Sequence, residues 1–178
     1  MLVLVGPSAS GKTQIVQELI KNYNMKKLVT YTTRPMRVGE VDGKDYHFIT
    51  VDEFKQKIDN NFFIEYVQYN NNYYGTSRSD LSDDKVVILE PTGLKHYIKE
   101  ARDLIKVVVL RCSKNVLGIR MAIRGDKPED IKRRLDGDGA VFTKEIEGLA
   151  DLVLDTTPSN IYNDASVIYK YYQFSKGN

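Results

Sequence analysis

The stretch GPSASGKT, Gly6 to Thr13, directly follows the apolar run MLVLV, Met1 to Val5. A short apolar run that stops at a glycine reads as a strand buried on both faces, as in a parallel sheet. Thr13 to Tyr23 reads as a helix with Ile15, Val16, Leu19 and Ile20 on one side. Strand, loop and helix thus stand in the order that makes G-x-x-x-x-G-K-[ST] a phosphate cradle and not a chance turn. Glycine permits positive φ and close approach of the backbone to a ligand. Gly6, Ser8, Ala9, Ser10, Gly11, Lys12, Thr13 and Gln14 are therefore expected around the bound phosphates. Their N–H groups and the positive end of the helix supply the donors. Lys12 is expected to neutralise the β- and γ-phosphates, and the Thr13 hydroxyl to ligate Mg²⁺.

Outward from the cradle, further apolar runs are VVIL (86–89), KVVVLRC (106–112) and LVLD (152–155). Helical patterns fall at roughly 92–102, 113–123 and 158–173, the last with Thr157 as N-cap and Pro158 at the first helical position. Alternating strands and helices predict an α/β protein: a three-layer P-loop fold on a parallel central sheet. Residues 34–76 break this rhythm with two alternating runs, YHFIT and FFIEYVQY. Between them Thr50 and Glu53 have capping-box spacing before FKQKI. A small antiparallel sheet with one helix, a mixed α+β insertion, is expected there, with NNN at 70–72 as a loop tip. The expected division is a core of 1–33 and 77–178, with an Arg-rich helical lid at about 113–139, and an insertion of 34–76.

Composition bounds the function. The 178 residues suffice for one sizeable core, and 28% charged with 42% hydrophobic residues is ordinary for a globular protein. A net charge of +2 gives no argument for nucleic acid. No apolar run approaches the ~18 residues of a membrane span, and LVLV is too short for a signal peptide. The single cysteine, Cys112, excludes an internal disulfide, so a reducing, cytoplasmic setting is expected. VVIL leads into Glu90, beyond the end of a strand beside the cradle, where an open α/β sheet binds ligands. Glu90 is the acid expected to hold the metal or its waters.

The second informative stretch is TYTTRPMRVGEVDGKDYHF, Thr30 to Phe48. Pro35 disfavours helix at Arg34, and two neighbouring guanidiniums repel unless an anion lies between them. Arginine binds phosphate bidentately, and Tyr46 can add a hydroxyl. The run resembles the monophosphate site of guanylate kinases, a pattern close to S-x-[ST]-T-R-x-x-R-x-G-E-x-x-G-x-D-Y-x-F. This chain gives Thr32-Thr33-Arg34, Arg37, Gly39-Glu40, Gly43, Asp45-Tyr46 and Phe48. FIEYVQYNNNYYGTS continues the likeness with Glu65, Tyr74, Gly75 and Thr76 in register. The resemblance implies that Arg34, Arg37, Tyr46 and Tyr74 clamp the monophosphate and that Glu40 braces the arginines. Thr30 keeps the hydroxyl of the family's serine. Glu65 is implied to accept from the guanine ring N–H and amino group, and Thr76 to read its oxygen. A carboxylate that needs donors opposite it rejects adenine, which lacks them.

LGIRMAIRGDKPEDIKRRL, around Arg120, resembles the family's L-x-x-R-L-x-x-R-G and the helix after it. Arg120 and Arg124 are one turn apart, and Arg124 and Arg134 match lid arginines that close over ATP. Asp126 is expected to cap the second helix. Thr92 stands where the family has a second acid, and Asp155 where an Asn near the adenine is common. His47, His96 and the tyrosines 169, 171 and 172 read as surface or packing residues. The resemblance implies transfer of the γ-phosphoryl of ATP to GMP, with Lys12, Arg34, Arg124 and Arg134 as catalytic residues. It implies no nucleic-acid or membrane partner, and a monomer or homodimer. The alternatives are a related kinase of another phosphorylated acceptor, such as a ribose phosphate, and a non-catalytic phosphopeptide-binding module.

Overall fold

In the computed structural model, which describes residues 1–69, 71–158 and 160–176, the strand β1, Leu2–Val5, is the centre of the molecule. It leads through the cradle into α1, Lys12–Tyr23, and then β2, Lys26–Lys27. Next come β3, Tyr31–Thr32; β4, His47–Phe48; α2, Val51–Asp59; β5, Phe63–Tyr69; and β6, Asn72–Ser77. The chain returns with β7, Lys85–Ile88; α3, Pro91–Ala101; and β8, Lys106–Arg111. It ends with α4, Lys114–Ile123; α5, Pro128–Val141; α6, Lys144–Glu147; β9, Leu152–Asp155; and α7, Ile161–Lys176.

Five strands form a parallel sheet in the order β2-β7-β1-β8-β9. Side chains alternate across a strand, so β1 feeds two cores at once. Leu2 and Leu4 pack with Ile15, Leu19, Val108 and Ile168 on the side of α1 and α7. Val3 and Val5 pack with Leu94, Tyr97, Val107 and Val109 on the side of α3. That is why the run is apolar at every position. Each such fully buried side chain contributes about 1.5–3 kcal/mol. The stripe on α1 is narrower than expected: Ile15, Val16 and Leu19 are buried, but Ile20 lies at its edge and is 38% exposed. Three tyrosines of α7, Tyr169, Tyr171 and Tyr172, pack as expected. Tyr169 meets Tyr23 at 4.6 Å, and the Tyr171 and Tyr172 hydroxyls donate to the carbonyls of Asp151 and Asp83.

Two local expectations are corrected. The last helix begins at Ile161, not at Pro158. Thr157 cannot cap it, because its hydroxyl accepts the Ser113 N–H at 3.0 Å and its own N–H goes to Asp155. Asn160 takes the capping role, accepting the Asn163 N–H at 3.1 Å. The second sheet, in the order β4-β3-β6-β5, is mixed and not antiparallel: β3 and β4 run parallel. A long loop joins those two strands, so nothing forces a hairpin, and Gly39 and Gly43 turn it at φ of 89° and 75°. The expected capping box is present, with Thr50 accepting the Glu53 N–H and Glu53 accepting the Thr50 N–H. Asn71 adopts a φ of 61°, as a loop tip requires, but Asn72 already belongs to β6, opposite Tyr69, while Asn70 and Ser159 lie outside the described residues. Among the described residues no helix is long and apolar enough to cross a membrane.

Candidate active site

The cradle hangs from the buried end of β1. A side chain at Gly6 would put Cβ 2.9 Å from the Leu110 carbonyl, so only glycine lets the loop leave β1 against β8. The loop then turns through Ala9 at φ 62° and Gly11 at φ 100°. Such turns point successive N–H groups into one concavity. Gly11 precedes α1 without a side-chain cap, leaving the helix's first N–H groups open to an anion. The Lys12 ammonium folds over this loop and donates to the carbonyls of Gly6 at 2.6 Å and Pro7 at 2.8 Å. Burial lowers its pKa, opposed by the nearby carboxylates of Glu90 and Asp138. Glu90 stands just past β7, at the N-cap position of α3, without capping that helix through its side chain. A cavity of about 600 Å³ opens before the loop, lined by residues 9–14 with Arg120, Ile123, Arg124 and Ile161. Thr13 and Gln14 are exposed at its mouth.

The second cluster lies on the mixed sheet. Arg34 donates to Glu40 at 2.6 Å and sits over the Tyr46 ring at 5.5 Å. Tyr46 meets Tyr74 edge-on at 6.1 Å. Glu40 also accepts the Arg37 backbone N–H at 2.7 Å, so one carboxylate fixes both arginine positions. Those hydrogen bonds, Arg34's first, hold the Glu40 carboxyl below its usual range. Glu40 thus pairs with the Arg34 guanidinium and holds Arg37 through its main chain, leaving the Arg37 side chain out of that pair. Arg37 itself is exposed, and the Thr30 carbonyl accepts the His47 N–H at 2.9 Å where β3 begins.

Two strands on, Thr76 donates to Glu65 at 2.8 Å. The irregularity between Phe63 and Glu65 puts Glu65 opposite Thr76, although Phe63 is opposite Ser77. Thr76 is fully buried, and burial pushes the Glu65 carboxyl above its usual range, opposed by the Thr76 hydrogen bond and by His96. Gly75 has a packing reason of its own: a Cβ there would lie 2.9 Å from the Phe54 ring and 3.0 Å from Phe63.

The lid region departs from expectation in how its arginines are held. Asp126 does not cap α5; Lys127 occupies that position without a side-chain bond. Asp126 instead accepts from Arg124 and, at 3.3 Å, from Arg134. The competing attraction of two cations outweighs a cap. Arg133 pairs with Asp130. Arg120 lines the cavity before the loop and donates to the carbonyls of Ala9 at 3.3 Å and Thr156 at 2.6 Å, stapling the cradle to the end of β9. Thr156, fully buried, donates to the Ser10 carbonyl at 3.0 Å on the same seam. Sequence reasoning missed these supports, and Asp138, whose carboxylate accepts the Ser8 N–H at 2.7 Å.

A P-loop at the head of a parallel sheet, with an arginine–tyrosine cluster on an attached sheet, defines a P-loop kinase. The guanylate kinase family model matches residues 1–154. The guanylate kinase of Hydrogenovibrio crunogenus is 36% identical over 174 residues, covering 92% of this chain and 85% of that one. That of Paraburkholderia xenovorans is 34% identical over 155 residues, covering 83% and 69%. Among solved structures, guanylate kinase from Anaplasma phagocytophilum matches with a TM-score of 0.65 at 24% identity, over 98% of this chain and 85% of that one. A gluconokinase from Sinorhizobium meliloti matches at 0.53 and 14% identity, over 97% of this chain and 90% of that one. At those identities the two structures speak for the fold alone. The chain belongs to the guanylate kinase family.

Proposed function

We propose that the chain transfers the γ-phosphoryl of ATP to GMP, giving ADP and GDP, with the residues in these roles. The cradle, Gly6 to Gln14, takes the ATP phosphates on its N–H groups. Lys12, released from the Gly6 and Pro7 carbonyls, follows the transferring group. Arg34, Arg37, Tyr46 and Tyr74 receive the GMP phosphate, with Glu40 as brace and Thr30 and Gly75 shaping the sheet around them. Arg124 and Arg134 approach from the lid. Phosphoryl transfer spreads charge over equatorial oxygens, so positioned cations are what the reaction needs. Mg²⁺ fits the donor set, because it binds through phosphates and waters with few protein oxygens, and Thr13 and Glu90 offer hard oxygens beside Lys12. When bound, it supplies further neutralisation of phosphate charge.

The observation that carries the choice of GMP is the Glu65–Thr76 pair on the sheet that also bears Tyr74. An ionised carboxylate there accepts from two guanine donors that adenine lacks. An ADP-release assay over GMP, dGMP, AMP, UMP, CMP and a ribose phosphate tests the proposal. GMP is expected to be preferred over AMP by at least ~10²-fold in kcat/KM. Equal use of AMP, or turnover with the ribose phosphate alone, overturns it. Phosphopeptide binding without turnover of any acceptor identifies a non-catalytic module instead.

A further inference from the structure

One anionic side chain sits in the cradle, where the reaction itself calls for cations. Asp138 lies one turn after Arg134 on α5, so the two share a face. Its carboxylate accepts the Ser8 N–H at 2.7 Å, across 130 residues of chain. Ser8 is at the centre of the loop whose N–H groups are read as phosphate donors. The negative charge also reaches the Lys12 ammonium. A carboxylate on a backbone N–H, beside an ammonium, is a small copy of the contacts a phosphate makes. The helix that delivers it is weakened at that point. Gly137 and Gly139 flank Asp138, and neither has another atom within 4 Å of where a Cβ would stand. Glycine in a helix interior is destabilising relative to alanine. A cavity of about 140 Å³ lies beside this segment, lined by Leu135, Asp138 and Phe142 with the end of β8, Leu117 of α4 and Pro7 at the edge of the loop.

We propose that Asp138 is an internal anion that occupies the Ser8 N–H until a nucleotide phosphate takes it, and so sets the affinity for ATP. The proposal rests on reading the cradle as the ATP phosphate site. One N–H cannot serve two anions fully, and two anions near one ammonium repel each other. A charge-assisted hydrogen bond must be broken as ATP enters, and its cost appears in the nucleotide affinity. Asp138 therefore acts through the loop as a positioning residue and makes no bond to the reacting atoms.

The test compares wild type, Asp138→Asn and Asp138→Glu by calorimetric ADP binding and by steady-state kinetics. Asp138→Asn is expected to bind ADP about tenfold more tightly and to lower KM for ATP, with KM for GMP unchanged. Asp138→Glu, which keeps the charge, is expected to stay closer to wild type. Equal or weaker ADP binding by Asp138→Asn overturns the proposal, since a residue that merely docks α5 gives that result. If Asp138→Asn does not fold, the Ser8 amide resonance of the wild type decides. It must shift on ADP addition, and an unmoved resonance rejects the displacement. Failure of wild type to bind ADP at all instead removes the reading of the cradle itself.

Discussion

The cradle hangs from β1, whose four side chains are all buried, whereas the arginine–tyrosine pocket hangs from two-residue strands and a loop whose Met36, Val38 and Val41 are exposed. In the cradle the donors are main-chain N–H groups, fixed wherever the strand, Gly6 and α1 put them. In the pocket they are side chains, which carry rotamer entropy that something must remove. Glu40 removes it for Arg34, and the Tyr46 and Phe48 rings confine the same guanidinium. The first site is therefore rigid through the core and the second through a few polar contacts. A site held by few contacts is also one that can close on its ligand.

The comparison predicts where each site breaks. The largest loss is expected at Lys12→Ala. The lysine's bonds to Gly6 and Pro7 join a loop that the core already fixes, so thermal stability should change little. In the proposed role its charge serves the transferring phosphoryl group, so kcat should fall ~10²–10³-fold in the ADP-release assay. A mutant that loses stability but keeps kcat would show that Lys12 supports the loop and not the reaction.

Glu65→Gln comes next and separates function from stability. Glutamine can still accept the Thr76 hydroxyl but cannot satisfy two guanine donors as a carboxylate does. KM for GMP should rise ~10–100-fold, from the loss of charge-assisted hydrogen bonds. Burial raises the pKa of Glu65, so the folded state binds its proton more tightly than the unfolded state does. That contribution to stability is fully present below the ordinary glutamate range and is lost as pH rises through the raised value. Glu65→Gln should therefore melt no lower than wild type at neutral pH. The wild type should also lose GMP affinity in acid at a higher pH than an ordinary glutamate would impose.

Glu40→Gln should have a smaller effect, about tenfold in kcat/KM for GMP with KM for ATP unchanged. The amide can still accept from Arg34 or from the Arg37 N–H, but the ion pair is gone. An equal rise in both KM values would mean that the two anion sites are not independent.

What could be read from the sequence follows the same divide. β1 was legible because burial on both faces makes every residue apolar, and the cradle because its spacing is local. The capping box at Thr50 and Glu53 was legible for the same reason. Asp126 was not: Asp-Lys-Pro-Glu is a sound local capping signal, yet the carboxylate turns back to Arg124, two residues before it, and meets Arg134 from α5. Arg120 and Asp138 meet the cradle across more than 100 residues of chain, with no periodicity to announce them. The parallel pairing of β3 and β4 was hidden by its shortness, since two residues carry no pattern that distinguishes direction.

The smallest effect sharpens the claim that the mixed sheet rests on few contacts. Thr50 caps α2, whose Phe54 is fully buried and stacks on Phe63 at 4.3 Å and Tyr73 at 5.3 Å. Thr50→Ala removes the bond to the Glu53 N–H and should cost about 1 kcal/mol. For a chain of 178 residues that is a fall of about 2–4 °C in Tm. The hydrogen bonds from Thr50, the backbone one first, hold Glu53 below the usual carboxyl range. The capping box therefore contributes above that range and is lost as pH falls through the depressed value. The gap between wild type and Thr50→Ala should narrow in acid accordingly. Hydrogen exchange should show the loss confined to α2, β5 and β6, with amides of β1 and β8 unchanged. Faster exchange in β1 would mean that the two sheets unfold as one unit, and the contrast between a rigid cradle and a conditional pocket would fail.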